Sequence, residues 1–258
     1  MFKLCFMKIQ YCSDLHLEFS LNKEFIESNP LLPEGDILIL AGDIVPFENM
    51  DLAKEFLKFC SENFKETYWI AGNHEYYYGA LDGKIGAFKE QIVENVFLVN
   101  NYTLEREDVQ IIFSTLWSNV SPEMSFFVKK GLNDYRIIRD GKLLLSVDRS
   151  NQLFEENIEY IRNAVKHSDK KRNIVVTHHV PTFQNYPEEY LNSNINEAFA
   201  TNLDNFIASS NIHSWIFGHH HRNVAGFKIG DTNMLTNQLG YVKYGENAGF
   251  RRNAVIEL

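Results

Sequence analysis

Five short apolar runs in this sequence each stop at a cluster of histidine, aspartate or asparagine. Ile9-Gln10-Tyr11-Cys12 leads to Asp14-Leu15-His16, and Ile37 to Ala41 leads to Gly42-Asp43. Tyr68 to Ala71 is followed by Gly72-Asn73-His74-Glu75, and Ile174 to Thr177 by His178-His179-Val180-Pro181. Trp215 to Phe217 ends in Gly218-His219-His220-His221. The runs are short, rich in β-branched or aromatic residues, and bounded by Gly, Asp, Asn or His, so they read as buried strands. Seven of the nine histidines fall at these strand ends. In an open α/β sheet, ligands bind outside the carboxyl ends of the strands, where loops bring distant residues together on a rigid base. One pattern therefore constrains both the fold and the place of any chemistry.

The rest of the chain fits that frame. Val109 to Phe113 is a further strand, and Asn233 to Leu239 and Ala254 to Leu258 read as strands near the C-terminus. Apolar residues recur at helical spacing at Leu52, Phe56, Phe59 and Asn63, again at Phe154, Ile158, Ile161 and Val165, and again at Ile195, Phe199, Leu203 and Phe206. Such one-sided helices cover a sheet. Strands alternating with helices, followed by a strand-rich end, predict an α/β sandwich with two sheets inside and helices outside. A chain of 258 residues suits one domain spanning 1–258. The stretch from Trp117 to Leu145 has weak periodicity and reads as an irregular insertion near the site.

Charge and cysteine content narrow the function classes. The net charge of -9 counts against a general polyanion binder, so a nucleic-acid partner is disfavoured. The one short basic run, Lys170-Lys171-Arg172, reads as a solvated turn before a strand. Three cysteines, Cys5, Cys12 and Cys60, with no C-x-x-C spacing, argue against a disulfide framework or a zinc knuckle and for a reducing, cytoplasmic setting. No run approaches a transmembrane span. The stretch from Met1 to Met7 is too short for a secretory core, and Met7 is an alternative start. Trp69 and Trp117 serve equally well as core aromatics or as a platform for a base. His167 and His213, away from the strand ends, are assigned nothing.

The residue types at the strand ends suit metal ions. Asp14 and His16, one residue apart, can turn toward one ion, and so can His219 and His221. Imidazole with carboxylate suits Mn, Fe, Co, Ni or Zn, whereas Ca and Mg prefer all-oxygen shells. The donors outnumber what one ion needs. Two Asp, one Asn and several His could fill two adjacent sites with one carboxylate shared.

The ordered series D-x-H, G-D, G-N-H-E, H and G-H-x-H, from Asp14 to His221, resembles the calcineurin-like metallophosphoesterase superfamily. That resemblance implies a four-layer α/β/β/α sandwich with two central mixed β-sheets flanked by helices. It also implies a centre of two divalent or mixed-valence transition metal ions, and hydrolysis of phosphomonoesters, phosphodiesters or related anhydrides. By this likeness Asp14, His16 and His221 would hold one metal, Asn73, His178 and His219 the other, and Asp43 would bridge them. His74 would contact the phosphate and protonate or stabilise the leaving oxygen, and Glu75 would support the loop without touching metal. His178 is favoured over His179 as the ligand, leaving His179 to touch substrate or to do nothing special, and His220 would turn aside.

One departure matters. In the Ser/Thr protein phosphatases of this superfamily the second motif continues as G-D-x-x-D-R-G, whereas here Gly42-Asp43 is followed by Ile44-Val45-Pro46-Phe47-Glu48. No phosphate-clamping arginine carries over to this loop. Arg136 is the candidate replacement, because an arginine fork suits phosphate, with a plain surface arginine as the alternative. The resulting expectation is a dinuclear-metal phosphoesterase acting on a small phosphorylated substrate, a phosphodiester or small nucleotide, by attack of a metal-bridging hydroxide. No side-chain nucleophile is required. The rivals are a nuclease on the same scaffold and a non-catalytic metal-binding scaffold protein.

Overall fold

The computed structural model describes residues 7–258; Cys5, and the choice between Met1 and Met7 as the start, fall outside or at the edge of the described residues. In chain order the strands are β1 (Lys8–Cys12), β2 (Ile37–Ala41), β3 (Glu66–Ile70), β4 (Phe88–Val93) and β5 (Val96–Asn100), then β6 (Tyr102–Arg106), β7 (Val109–Phe113), β8 (Arg139–Asp140) and β9 (Leu143–Leu144). They continue with β10 (Arg172–Val176), β11 (Ser214–Ile216), β12 (Phe227–Ile229), β13 (Thr232–Leu235) and β14 (Val255–Glu257). The helices are α1 (Ser20–Ser28), α2 (Lys54–Asn63), α3 (Pro122–Gly131), α4 (Asp134–Ile137), α5 (Val147–Lys166) and α6 (Asp204–Ser209).

Among the described residues the strands make two six-stranded sheets, ordered β14-β1-β2-β3-β5-β4 and β12-β13-β11-β10-β7-β6, plus the small β8-β9 ladder. The inner strands of each large sheet run parallel, and antiparallel strands close the edges. Alternation along each strand builds the layers. Ile37 and Ile39 pack with Ile111, Phe113, Ile174 and Val176 between the sheets. Leu38 and Leu40 point the other way and meet Ile26 of α1 and Phe56 and Leu57 of α2. On the far side, Ile112, Val175 and Trp215 meet Phe154, Ile158 and Ile161 of α5. The result is the helix–sheet–sheet–helix sandwich that the sequence predicts.

Helix α5 shows how sequence produces one of those layers. Ser146 accepts a hydrogen bond from the Arg149 amide and caps the helix start. Phe154, Ile158, Ile161 and Val165 then form a buried stripe, each contributing roughly 1.5–3 kcal/mol relative to exposure. The buried face of α2 is Phe56, Leu57 and Cys60, while Leu52 sits exposed in the preceding 3-10 turn.

Two expectations change. The stretch Ile195 to Phe206 is a 3-10 turn at Asn196–Ala198, an extended link, and then α6. Val180 and Ala200 pair as a parallel bridge, with Val180 N donating to Phe199 O at 3.0 Å and Thr201 N to Val180 O at 3.0 Å. That bridge uses backbone groups a continuous helix would need. Asn202 Oδ1 then accepts the Asp204 amide at 3.0 Å, and the chain restarts as α6. The segment 117–145 is also more regular than predicted. It carries α3, α4 and the β8-β9 ladder, and it buries Val128, Tyr135, Ile138 and Leu145 in the core that α5 covers. Sequence reading passed over β4, β6 and β12, which lie at sheet edges and bury less on one face, and also the largely buried β5 beside β4.

Register places the chemistry. Cys12 pairs with Leu40, Leu40 with Trp69, and Val176 with both Phe113 and Ile216. The parallel strands of each sheet therefore finish level with one another. The two rims are joined there: Ser13 bridges to Gln238, and Thr115 Oγ1 donates to Ala71 O at 2.8 Å.

Candidate metal centre

The loops leaving this rim hold an unusual backbone. Asp14, His16, Asp43, His219 and His221 all have positive φ, at 56°, 47°, 56°, 78° and 54°. For residues with a Cβ this conformation costs of order 1 kcal/mol or more each, and it concentrates at functional sites. Hydrogen bonds across the loops hold it. Asp14 N donates to Gly42 O and His16 N to Asp43 O, both at 2.9 Å, and His219 N donates to Asp14 Oδ1 at 3.0 Å. Two glycines make room: a Cβ on Gly42, whose φ is +90°, or on Gly72 would run into the His178 ring.

Two donor groups that share Asp43 result, beside a third made of His16, Glu18 and His74. Asp14, His16, Asp43 and His221 form one, Asp43, His178 and His219 the other, and within each the donor atoms lie within 4.8 Å of one another. Asp43 belongs to both. His16 Nε2 and His221 Nε2 face each other at 3.0 Å. The second nitrogen of His16 is 3.1 Å from Glu18 Oε1, and that of His221 is 2.8 Å from Glu246 Oε2. With its N–H directed to the carboxylate, each ring in its neutral form would turn a bare lone pair toward the other. His178 repeats the arrangement, with Nδ1 on Ala41 O at 2.9 Å and Nε2 facing His219 Nδ1 at 3.1 Å. Lone pairs so placed repel unless a cation, metal ion or proton, is shared between them. A carboxylate or carbonyl behind the imidazole is how metal-binding histidines are oriented.

An orphaned atom agrees with that reading. Asn73 Oδ1 is buried without any hydrogen-bond partner, a costly state for a polar atom unless something else binds it. Donor chemistry, facing nitrogens and the orphaned oxygen together fit transition metal ions.

The charges respond to this crowding. Burial disfavours the Asp43 carboxylate, but His178 and His74 hold its pKa well below the usual value. Burial likewise opposes protonation of His178 and His221. Asp43 raises His178 to about 9, and Asp14 and Glu246 raise His221 to about 10. Without metal, protons neutralise the cluster; a bound metal ion must displace them.

Beside the donor groups lies His74. Its amide donates to Asp43 Oδ1 at 2.9 Å, its Nδ1 is 3.2 Å from Glu18 Oε1, and its ring stacks on Tyr77 at 3.9 Å between centroids. Glu18 thereby contacts both His16 and His74, and although burial opposes its charge, their imidazoles pull its pKa down to about 2. Burial opposes protonation of His74 as well, but Asp43 and Glu18 raise its pKa. Glu75 lies beneath. Its two oxygens accept N–H donors from Asp43 at 2.9 Å, Ile44 at 2.7 Å, Gly72 at 2.7 Å and the Trp69 indole at 3.0 Å. Burial and then the Asp43 carboxylate push its pKa up to about 8, while these four donors favour the ionised acceptor. Glu75 ties the second and third strand-end loops together.

A cavity of about 330 Å³ opens over His74 and the donor groups. Its walls carry Tyr77, Tyr186, Tyr190, Phe199 and Tyr241, with Asn133, Asp134, Ser193 and Asn196 between them. Segments 131–134 and 186–199 supply most of that wall.

Comparison with known proteins agrees with this geometry. The sequence profile described as calcineurin-like phosphoesterase matches residues 7–223. This chain belongs to the calcineurin-like phosphoesterase family. It is 35% identical over 280 residues to uncharacterized protein L509 of Acanthamoeba polyphaga mimivirus, covering 97% of this chain and 96% of that one. Its fold is similar to the crystal structure of phosphopantetheinyl hydrolase from Mycobacterium tuberculosis, with a TM-score of 0.72 and 14% identity, covering 98% of this chain and 96% of the other.

Within this calcineurin-like phosphoesterase, three placements depart from the sequence reading. Arg136 is exposed, its guanidinium turned to the Lys130 carbonyl, and it does not line the cavity; its neighbours Asn133 and Asp134 do. His179 is 2% exposed and packs between Trp117 and His219 behind the donors, so it cannot meet a substrate directly. Burial and the adjacent His178 lower its pKa to about 3, keeping it neutral. His220 lines the cavity and contacts Gln238, where turning aside was expected. Sequence reasoning also missed Glu18, Asp134, Tyr241 and Glu246. Glu18 alone left a local signal: it stands two residues after His16, as His16 stands two after Asp14.

Proposed function

We propose that this chain is a phosphoesterase working with two divalent cations, and that its substrate is a small phosphodiester or nucleotide. The observation that carries the reading is the pair of donor groups sharing Asp43, with imidazole nitrogens facing one another in each. Asp14, His16 and His221 would hold one ion, Asn73, His178 and His219 the other, with Asp43 between. Bound there, two cations supply Lewis acidity, neutralising charge on the phosphoryl group and lowering the pKa of a water toward neutrality.

The chain's own residues do the rest. Asp43, shared by both donor groups, would lend its negative charge to both cations. His74 faces the cavity, held by Glu18 through Nδ1 and covered by Tyr77. Held so, its Nε2 is the atom that would deliver a proton to the leaving oxygen, and its raised pKa keeps that proton available near neutrality. The aromatic wall excludes water and suits a flat organic group beyond the phosphate. At about 330 Å³ the cavity is small for a binding site, which supports a compact substrate. The likeness to the mycobacterial hydrolase carries the fold, and the substrate reading rests on this cavity.

The test is a titration of metal-free protein with Mn(II), followed by hydrolysis of bis(p-nitrophenyl) phosphate and p-nitrophenyl phosphate. Two ions per chain and faster cleavage of the diester support the reading. Metal binding without hydrolysis of either ester would leave a metal-binding scaffold protein. Salt-dependent binding and cleavage of single-stranded DNA would favour the nuclease alternative.

A further inference from the structure

Asp134 opens helix α4, 61 residues beyond Asn73, and is buried against the centre. Its Oδ1 accepts two hydrogen bonds, from Asn73 Nδ2 at 3.0 Å and from the Tyr77 hydroxyl at 2.8 Å. We propose that Asp134 is a positioning residue that sets which way the Asn73 amide faces, and thereby governs the hold on the ion beside Asn73, His178 and His219. The inference rests on the two-cation reading above.

An asparagine amide has two faces, an accepting oxygen and a donating NH2 group, nearly equal in size. Nothing in its own shape decides which points at a metal. An ionised carboxylate only accepts, so it draws the NH2 toward itself. The carbonyl oxygen must then point the other way, and Asn73 Oδ1 is the atom left buried without a partner. One side of the amide is satisfied and the other is left free for a cation. Tyr77 reinforces the choice. The 3-10 turn at His74–Tyr76 brings Tyr77 round so that its hydroxyl reaches the same Asp134 oxygen. Tyr77 donates there while its ring covers His74. The segment 117–145 thus adds a constraint that none of the strand-end motifs contains.

The diagnostic variant is Asp134→Asn. It keeps the size of the side chain, but its amide can present either an oxygen or an amino group, so the Asn73 amide is free to turn over. Calorimetric titration of the metal-free, full-length protein with Mn(II), with ion counts from native mass spectrometry, reads the result without any substrate. One of the two binding steps should lose about 10–100-fold in affinity while the other changes by less than about twofold. Tyr77→Phe, which leaves the carboxylate on Asn73, should keep both steps near those of the parent. Unchanged binding in Asp134→Asn overturns the proposal. So does an equal loss at both steps, which would mark Asp134 as general support for the fold. A parent protein that takes up fewer than two ions removes the two-cation reading and this inference with it.

Discussion

The two donor groups share Asp43 but are braced differently. On the Asp14 side, His16 and His221 each have a carboxylate behind them, Glu18 at 3.1 Å and Glu246 at 2.8 Å. On the Asn73 side, His178 leans on a backbone carbonyl, His219 Nε2 has no partner, and the carboxylate stands behind a neutral amide. A carboxylate behind an imidazole raises the basicity of the ligand and fixes its ring, so the first group should grip a cation more tightly than the second. Negative charge near a cation stabilises it more strongly in a buried site than in water. The difference predicts that donors of the same kind in one centre will hold cations with different strength, according to what stands behind them.

The largest effect should come from removing what the two sides share. Asp43→Ala should lower metal content from two ions per chain to one or fewer by native mass spectrometry, with esterase activity falling to background. Two ions still bound would show that the groups are independent and end the comparison. Next is His74→Asn, which leaves the backbone amide on Asp43 in place and removes only the imidazole. It should retain both ions and lose about 10²–10⁴-fold in kcat on esters with poor leaving groups, with a smaller loss on p-nitrophenyl esters. Equal losses on both kinds of ester would remove the proton-donor role.

A smaller, selective effect sharpens the contrast. Glu246→Gln keeps a hydrogen-bonding oxygen near His221 but removes the charge. The stronger Mn(II) step should weaken by about 10–100-fold with the other step little changed, the mirror image of Asp134→Asn. If Glu246→Gln instead weakens the weaker step, the ranking of the two sides is reversed.

The smallest effect is on stability without metal. The folded-state pKa values of His178 and His221 are raised, to about 9 and about 10, because nearby carboxylates outweigh burial. A raised histidine contributes stability that is complete below its unfolded pKa of about 6.5 and is lost as pH climbs through the folded value. Burial and Asp43 raise Glu75 to about 8, which acts in the same direction over this range. The Tm of metal-free protein should therefore fall between about pH 6.5 and pH 9. Protein loaded with Mn(II) should show the opposite trend, because losing those protons exposes the ligands. A metal-free Tm that rises over that interval would show that the cluster does not hold protons in place of metal.

The layered sandwich and the side chains gathered at one rim were readable from sequence because both depend on short-range patterns. A parallel strand buried on both faces reads as a continuous apolar run, as Ile37 to Ala41 does. The donors follow such strands directly, so Asp14, Asp43, Asn73 and His219 are marked by their neighbours in the chain. Helix α5 was legible for the same reason, through Phe154, Ile158, Ile161 and Val165. Only the tertiary structure decided the rest. Whether Ile195 to Phe206 stays helical depends on Val180, which pairs with Ala200 from a separate stretch of chain. Arg136 and Asp134 are two residues apart on one short helix, and packing against α5 and Asn73 determines that the aspartate faces the centre and the arginine faces solvent. Glu246 meets His221, and Asp134 meets Asn73, across loops that follow no period. Local spacing can announce which residues would bind an ion, but how firmly each is held depends on side chains brought from afar by folding.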